Sequence, residues 1–234
     1  MQKTSTVQWD AWGNLTGFGD VGPTLPAKSY EWTDQDRLRA AVDVASGTTT
    51  RYAYDSSGER VLAWKTDATG ELIDATFHIR DEEGRVLSDW LHLGDLMVLS
   101  RDYVYGPSGA VAQVEWAGID PAVTYLAADH LGSTRYTYSD ALGGEEVDYH
   151  PFGTLSTPDP SPETTHLFTG HERDLASTGS GLDYMHARYY SPGMGRFLSV
   201  DPVGGSVGGV RGGTGMRMWR TIRVLFSIRM GLSE

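Results

Sequence analysis

An aromatic pair spaced one residue apart, followed closely by Asp and then Gly three residues later, recurs along this chain of 234 residues. The clearest copy is Arg51-Tyr52-Ala53-Tyr54-Asp55-Ser56-Ser57-Gly58-Glu59-Arg60. Phe77-His78-Ile79-Arg80-Asp81-Glu82-Glu83-Gly84 follows the same layout with one extra residue before the Asp, and Tyr136-Thr137-Tyr138-Ser139-Asp140 carries the same insertion. Weaker copies begin at Trp9, Tyr30 and Tyr103, and Asp10, Asp34, Asp55 and Asp81 are 24, 21 and 26 residues apart. Side chains at i and i+2 lie on one face of a strand. Asp followed by Gly at the third position suits a turn, because Asp bonds back to the backbone and Gly accepts positive φ. Each unit is therefore expected to be a β-hairpin with an aromatic stripe. A single hairpin is marginal, so neighbours must pair edge to edge.

Composition agrees with many short strands. There are 29 Gly, 12 Tyr and 7 Trp. Cysteine is absent, which excludes disulfides, thiolate metal sites and a Cys nucleophile. The net charge of −12 argues against a basic nucleic-acid surface. No stretch approaches a transmembrane segment, and the first ten residues lack the apolar run of a signal peptide. The charge is uneven: residues 204–234 hold five Arg and one acid, a net +4, which leaves −16 on the first 203.

The hairpin units resemble the YD repeats of the Rhs family, and the second half strengthens that resemblance. Asp129-His130-Leu131-Gly132-Ser133-Thr134-Arg135 is followed by His150-Pro151-Phe152-Gly153, then by Gly170-His171-Glu172-Arg173-Asp174. Arg188-Tyr189-Tyr190-Ser191-Pro192-Gly193-Met194-Gly195-Arg196 and Asp201-Pro202-Val203-Gly204 complete the order. This is similar to the Rhs repeat-associated core domain. The resemblance implies an all-β fold in which YD hairpins wind into a spiral sheet, part of a hollow shell with a C-terminal core region. It divides the chain into repeats at 1–124, a core at 125–205 and an atypical tail at 206–234. It implies a structural role, the shell and core of a bacterial polymorphic toxin that encloses a C-terminal toxic polypeptide. The expected partners are the remainder of the shell and that toxin, and the full-length protein is expected at the cell surface or secreted. Met1 enters in mid-array and about six hairpins are too few to close a shell, so a C-terminal fragment of a larger protein is expected. A surface adhesin that binds carbohydrate through its aromatics is an alternative.

In several family members the core cuts the chain just beyond itself as an aspartyl protease, with Asp-Pro-x-Gly occurring twice. Asp201 matches the first copy and is the candidate catalytic residue. The second copy is absent, since Glu234 is the only acid after Asp201. A carboxylate pair must share a proton, so Asp201 without a partner is expected to be a turn residue. His166 and His171, with four residues between them, fit a zinc spacing, but no Cys pair accompanies them, and packing is the favoured reading. Arg173 with Asp174, and Arg188 near aromatics, are expected to form buried ion pairs or to stack on rings. No phosphate loop or dinucleotide fingerprint is present, so no cofactor is implied.

The tail admits two readings. On a helix, Arg217, Arg220 and Arg223 share an arc of about 120° opposite Met218, Trp219, Ile222, Leu225 and Phe226. That is a basic amphipathic helix interrupted by Arg229. Alternatively, the codons of Gly215 to Trp219 can spell Tyr-Ala-Tyr-Val in a shifted frame, as the family core continues. A frameshift between about Gly205 and Gly213 is the favoured reading, and the coding DNA tests it.

Overall fold

The computed structural model describes residues 6–20, 26–116, 120–156, 164–174 and 180–202. The 206–234 tail, with both of its readings, and Gly204 lie outside these residues. Among the described residues the chain is nearly all β. Thirteen strands form one antiparallel sheet in strict sequence order: β1 (Val7–Trp9), β2 (Leu15–Phe18), β3 (Lys28–Trp32), β4 (Leu38–Asp43), β5 (Thr49–Tyr54), β6 (Arg60–Thr66), β7 (Leu72–Arg80), β8 (Val86–Leu93), β9 (Leu96–Gly106), β10 (Gly109–Glu115), β11 (Ala122–Ala128), β12 (Thr134–Ser139) and β13 (Gly143–Glu146). The sheet is open, with β1 at one end of the order and β13 at the other. It crosses residue 125 within β11, so repeat and core motifs share one sheet. A second antiparallel sheet contains β14 (Glu172–Arg173), β15 (Asp183–Met185), β16 (Arg188–Ser191) and β17 (Arg196–Phe197).

The turns explain the Asp-x-x-Gly spacing. Asp55 Oδ1 accepts the backbone amides of Ser57, Gly58 and Glu59. Gly58 has φ +90°, which an L side chain rarely adopts. The turns at Asp10, Asp81 and Asp129 use the same carboxylate grip on the second and fourth amides beyond the Asp. The unit near residue 34 is offset by one from the sequence expectation. Thr33, not Asp34, accepts the amides of Gln35 and Arg37, and Asp36 takes the glycine place at φ +56°. Asp tolerates this region because its short polar side chain can bond locally.

Immediately after each of these turns the register shifts by a bulge, opposite Leu15, Leu38, Arg60, Val86 and Thr134. A bulge disrupts the ladder locally. In each case a side chain from farther along the chain caps the carbonyl there. Trp32 Nε1 donates to Leu15 O at 2.8 Å, Tyr54 OH to Leu38 O at 2.6 Å, and Arg80 Nε to Arg60 O at 2.6 Å. Tyr105 OH donates to Val86 O at 2.8 Å and Tyr149 OH to Thr134 O at 2.9 Å. Trp32, Tyr54 and Tyr105, the second residues of their aromatic pairs, thus clamp their own hairpins to the preceding ones, and Arg80 and Tyr149 do the same. The first residue points into the core: Tyr30, Tyr52 and Tyr103 are all buried.

This assignment corrects two of the sequence alignments. In the Asp81 unit no residue is inserted; His78 and Arg80 occupy the Tyr52 and Tyr54 places, while Phe77 and Ile79 face outward, 36% and 51% exposed. Tyr136 and Tyr138 likewise lie on the exposed face, with Thr137 and Ser139 buried. A shift of one residue moves every side chain to the opposite face.

The apolar core joins the two sheets. Leu15, Phe18, Tyr30, Leu38 and Tyr52 of the large sheet pack with Leu182, Tyr184, Tyr189 and Leu198 of the core region. Leu15 also donates its amide to Leu198 O at 2.7 Å, tying β2 to the chain beyond β17.

Candidate functional site

Strand β14 is two residues long and carries charge into the interior. Glu172 is buried and faces two arginines of the large sheet. Arg80 grips it through two nitrogens, Nη1 to Oε1 at 2.6 Å and Nη2 to Oε2 at 2.9 Å, and Arg60 Nη2 reaches Oε2 at 3.0 Å. Arg60 Nη1 also pairs with Asp174 Oδ1 at 2.6 Å, and Tyr52 OH donates to Asp174 Oδ2 at 2.5 Å. The ring of Tyr184 lies under both guanidinium groups, 4.6 Å from Arg60 Cζ and 5.1 Å from Arg80 Cζ. Burial pushes the Glu172 carboxyl up, but Arg80 and Arg60 outweigh it and hold the group far below the usual carboxylate range. Burial and the neighbouring Asp174 raise the Tyr52 hydroxyl, which therefore stays a donor.

Arg173 points the other way along β14. Its partner is Asp183 of β15, not the adjacent Asp174: Nε meets Oδ1 at 2.5 Å and Nη2 meets Oδ2 at 2.9 Å. Neighbouring residues on a strand face opposite sides, so Arg173 and Asp174 diverge. Arg173 Nη2 also donates to Gly153 O at 2.9 Å, which ties in the His150-Pro151-Phe152-Gly153 turn. Gly153 has φ +91° and the Phe168 ring sits where a Cβ would go, at 2.5 Å.

The remaining motif residues fall into small contact groups. Gly132 and Gly170 face one another, with a Cβ on Gly170 only 3.0 Å from Gly132 O. Tyr190 OH donates to Phe152 O, and Gly195 backs onto the Phe152 ring. The Tyr189 and Tyr52 rings are 4.9 Å apart. Arg135 pairs with Asp148 on the surface. Arg196 lies over the Trp9 ring at 5.4 Å, bringing core and first strand together. Pro192 O accepts the Gly195 amide in the turn after β16. His130, Pro151 and Pro202 are exposed.

Asp201 sits beside Arg188, with Oδ2 to Nη2 at 3.1 Å, and the Arg188 guanidinium also stacks on Phe197 at 3.8 Å. An arginine is a charge partner, unlike the second carboxyl of a proton-sharing pair. The histidines are held by packing and hydrogen bonds. His166 Nε2 meets Tyr105 OH at 3.1 Å and its ring lies edge-on to Tyr103; burial lowers its pKa. His171 packs edge-on to His186, and burial followed by that neighbour lowers it to about 4. His186 in turn meets Glu59 Oε2 at 2.9 Å, a second tie between a YD turn and the core. Among the described residues no group of three or more His, Asp or Glu is placed to hold a metal. No helix there is long and apolar enough to cross a membrane.

Sequence reasoning missed Arg60 and Arg80. Their signal was present: Arg80 stands where other units place an aromatic, and Arg60 is the first residue after a YD turn.

No family model matches the sequence. Among curated proteins, the chain is 29% identical over 216 residues to the probable deoxyribonuclease RhsB of Dickeya dadantii, covering 84% of this chain and 14% of that protein. The chain is similar to Rhs and YD-repeat proteins over most of its length. Salivary gland surface protein 1 of Aedes aegypti is 27% identical over 165 residues, covering 66% of this chain and 5% of that protein. The chain therefore spans a small part of the relatives it matches. Among solved structures, the Photorhabdus luminescens Tc holotoxin pore (mutation TccC3-D651A) matches with a TM-score of 0.52 and 18% identity over 86% of this chain and 12% of that one. That likeness concerns the fold alone.

Proposed function

We propose that this chain is a wall-and-core segment of the shell of a bacterial polymorphic toxin. Residues 1–124 supply repeat wall and residues 125–205 supply the core that braces it. The rest of the shell and a C-terminal toxin are its partners, in a protein that is secreted or displayed at the surface. The observation that carries this reading is the charge lock of Glu172 and Asp174 with Arg60 and Arg80, because it joins the β14 segment to wall strands 92 to 114 residues away in sequence. Such a brace suits a container better than a catalyst. The likeness to a probable deoxyribonuclease and to a Tc holotoxin structure supports the toxin setting. The Arg188–Asp201 ion pair favours a structural over a proteolytic role for Asp201.

The test places this chain within flanking Rhs repeats and ahead of a C-terminal passenger. The passenger is expected to resist protease while the lock is intact and to become cleavable when Glu172→Ala opens it. Digestion of the passenger at the rate of the free polypeptide would overturn the reading.

A further inference from the structure

Three turns meet where the core region rests on the large sheet. Glu59 closes the β5–β6 turn, Gly84 sits in the β7–β8 turn, and His186 with Ala187 forms the tip of the β15–β16 hairpin. His186 Nδ1 is 2.9 Å from Glu59 Oε2, and Tyr184 OH donates to the same oxygen at 2.9 Å. A Cβ on Gly84 would lie 3.1 Å from Glu59 Cδ and 3.2 Å from His186 Nδ1, so the pair is packed against the third turn. His186 has φ +54°, which non-glycine residues rarely adopt, and these contacts hold it there. Its side chain is 40% exposed, within reach of protons from solvent.

A second histidine stands behind the pair. The His171 ring lies edge-on to that of His186, 5.9 Å away. His171 also faces Glu172 of β14 and His166, and Glu59 faces Arg80 of β7 besides His186 and Tyr184. Burial first, and His186 second, lower His171 to about 4. Burial pushes the Glu59 carboxyl up, but His186, Tyr184 and Arg80 outweigh it and hold the group low.

Both shifts act in one direction. Once the hairpin tip lifts away, His171 returns toward 6.5 and Glu59 toward an ordinary carboxylate. The open form therefore binds more protons, and the closed form loses support as the pH falls. A protonated His171 sets its charge against the His186 ring, and a protonated Glu59 gives up its own charge. The adjacent lock responds differently. Glu172, gripped by Arg80 and Arg60, is held ionised far below this range.

We propose that Glu59, His171 and His186 form an acid-released latch, in which the β15–β16 tip lifts off the β5–β6 turn while the Glu172 lock keeps β14 on the large sheet. The latch is internal to this chain and does not depend on an enclosed passenger.

The chain has no cysteine, so spin labels on Ser56→Cys and Ala187→Cys, both at exposed positions, report the gap between the two turns in the full chain. Their separation is expected to lengthen reversibly as the pH falls, with a midpoint between about 6.5 and 4. Far-UV circular dichroism is expected to keep its neutral-pH value through that step, because the sheet and the lock persist. His171→Gln, which takes up no proton, is expected to move the midpoint down by about one pH unit. Glu59→Gln, which lacks the charge, is expected to lengthen the separation already at neutral pH. The proposal is overturned if the separation holds down to pH 4 in the folded chain, if it lengthens only as the dichroism is lost, or if either variant titrates as its parent does.

Discussion

Tyr54 and Arg80 hold the same place in successive repeats and make the same bond, each to the carbonyl that follows the preceding turn. What differs is the rest of the side chain. Arg80 has donors to spare and spends them on Glu172 and on Gly84 O. Tyr54→Phe keeps the ring and strands the Leu38 carbonyl at its bulge, so it is expected to cost about 1–3 kcal/mol in urea unfolding. Tyr136→Phe, on the exposed face, is expected to change stability by less than about 0.5 kcal/mol; equal losses would refute the clamp. Gly153→Ala faces both a positive φ and the Phe168 ring. It is expected to lose more than the roughly 1–2 kcal/mol that left-handed backbone alone costs. At this scale the Asp55–Gly58 turn was legible because its bonds span four residues. The inward placing of His78 was not, because a period of two does not say which face is which.

Strand β14 owes its place to charge rather than to length. Two residues offer few ladder bonds, and each of its side chains is tied to a separate part of the fold. Glu172→Gln removes the charge and leaves Arg60 and Arg80 buried without it. Breaking a buried pair from one side costs about 3–5 kcal/mol, and chemical denaturation is expected to show a loss of that order. The neighbouring His171 adds a pH dependence. An unfolded histidine titrates near 6.5, whereas the folded ring titrates near 4. Between those values the unfolded chain binds the extra proton, so stability falls as the pH drops through this window, at most by about 1.4 kcal/mol per unit. Comparing the chain with His171→Gln across pH 4 to 6.5 isolates the effect; parallel curves would show that His171 does not contribute. The motif Glu172-Arg173-Asp174 was visible in the sequence as a charged tripeptide. Its partners were not, since Arg60 and Asp183 stand 112 and 10 residues away and nothing local selects them over nearer charges. The expected Arg173–Asp174 pair failed for that reason.

At the scale of the molecule the sheet is a ribbon that does not close on itself. The all-β class and the hairpin order were legible because each repeat pairs with the next, which keeps contacts local. Closure is a property of the whole and no single repeat encodes it. Among the described strands β1 and β13 each pair on one side only, and all three residues of β1 are exposed. An open edge presents unpaired backbone donors and acceptors that another strand can use. In a shell these edges would accept neighbouring repeats, and in the isolated chain a second copy is the nearest substitute. Sedimentation is therefore expected to show concentration-dependent self-association. Val7→Pro removes an amide from the β1 edge, since the Asp10 amide bonds toward β2 and amide direction alternates along a strand, and is expected to weaken that association without lowering the unfolding midpoint by more than a few degrees, because β1 lies at the margin of the core. A chain that stays monomeric at all concentrations, or a Val7→Pro variant that associates as strongly as its parent, would show that the β1 edge is not a pairing surface.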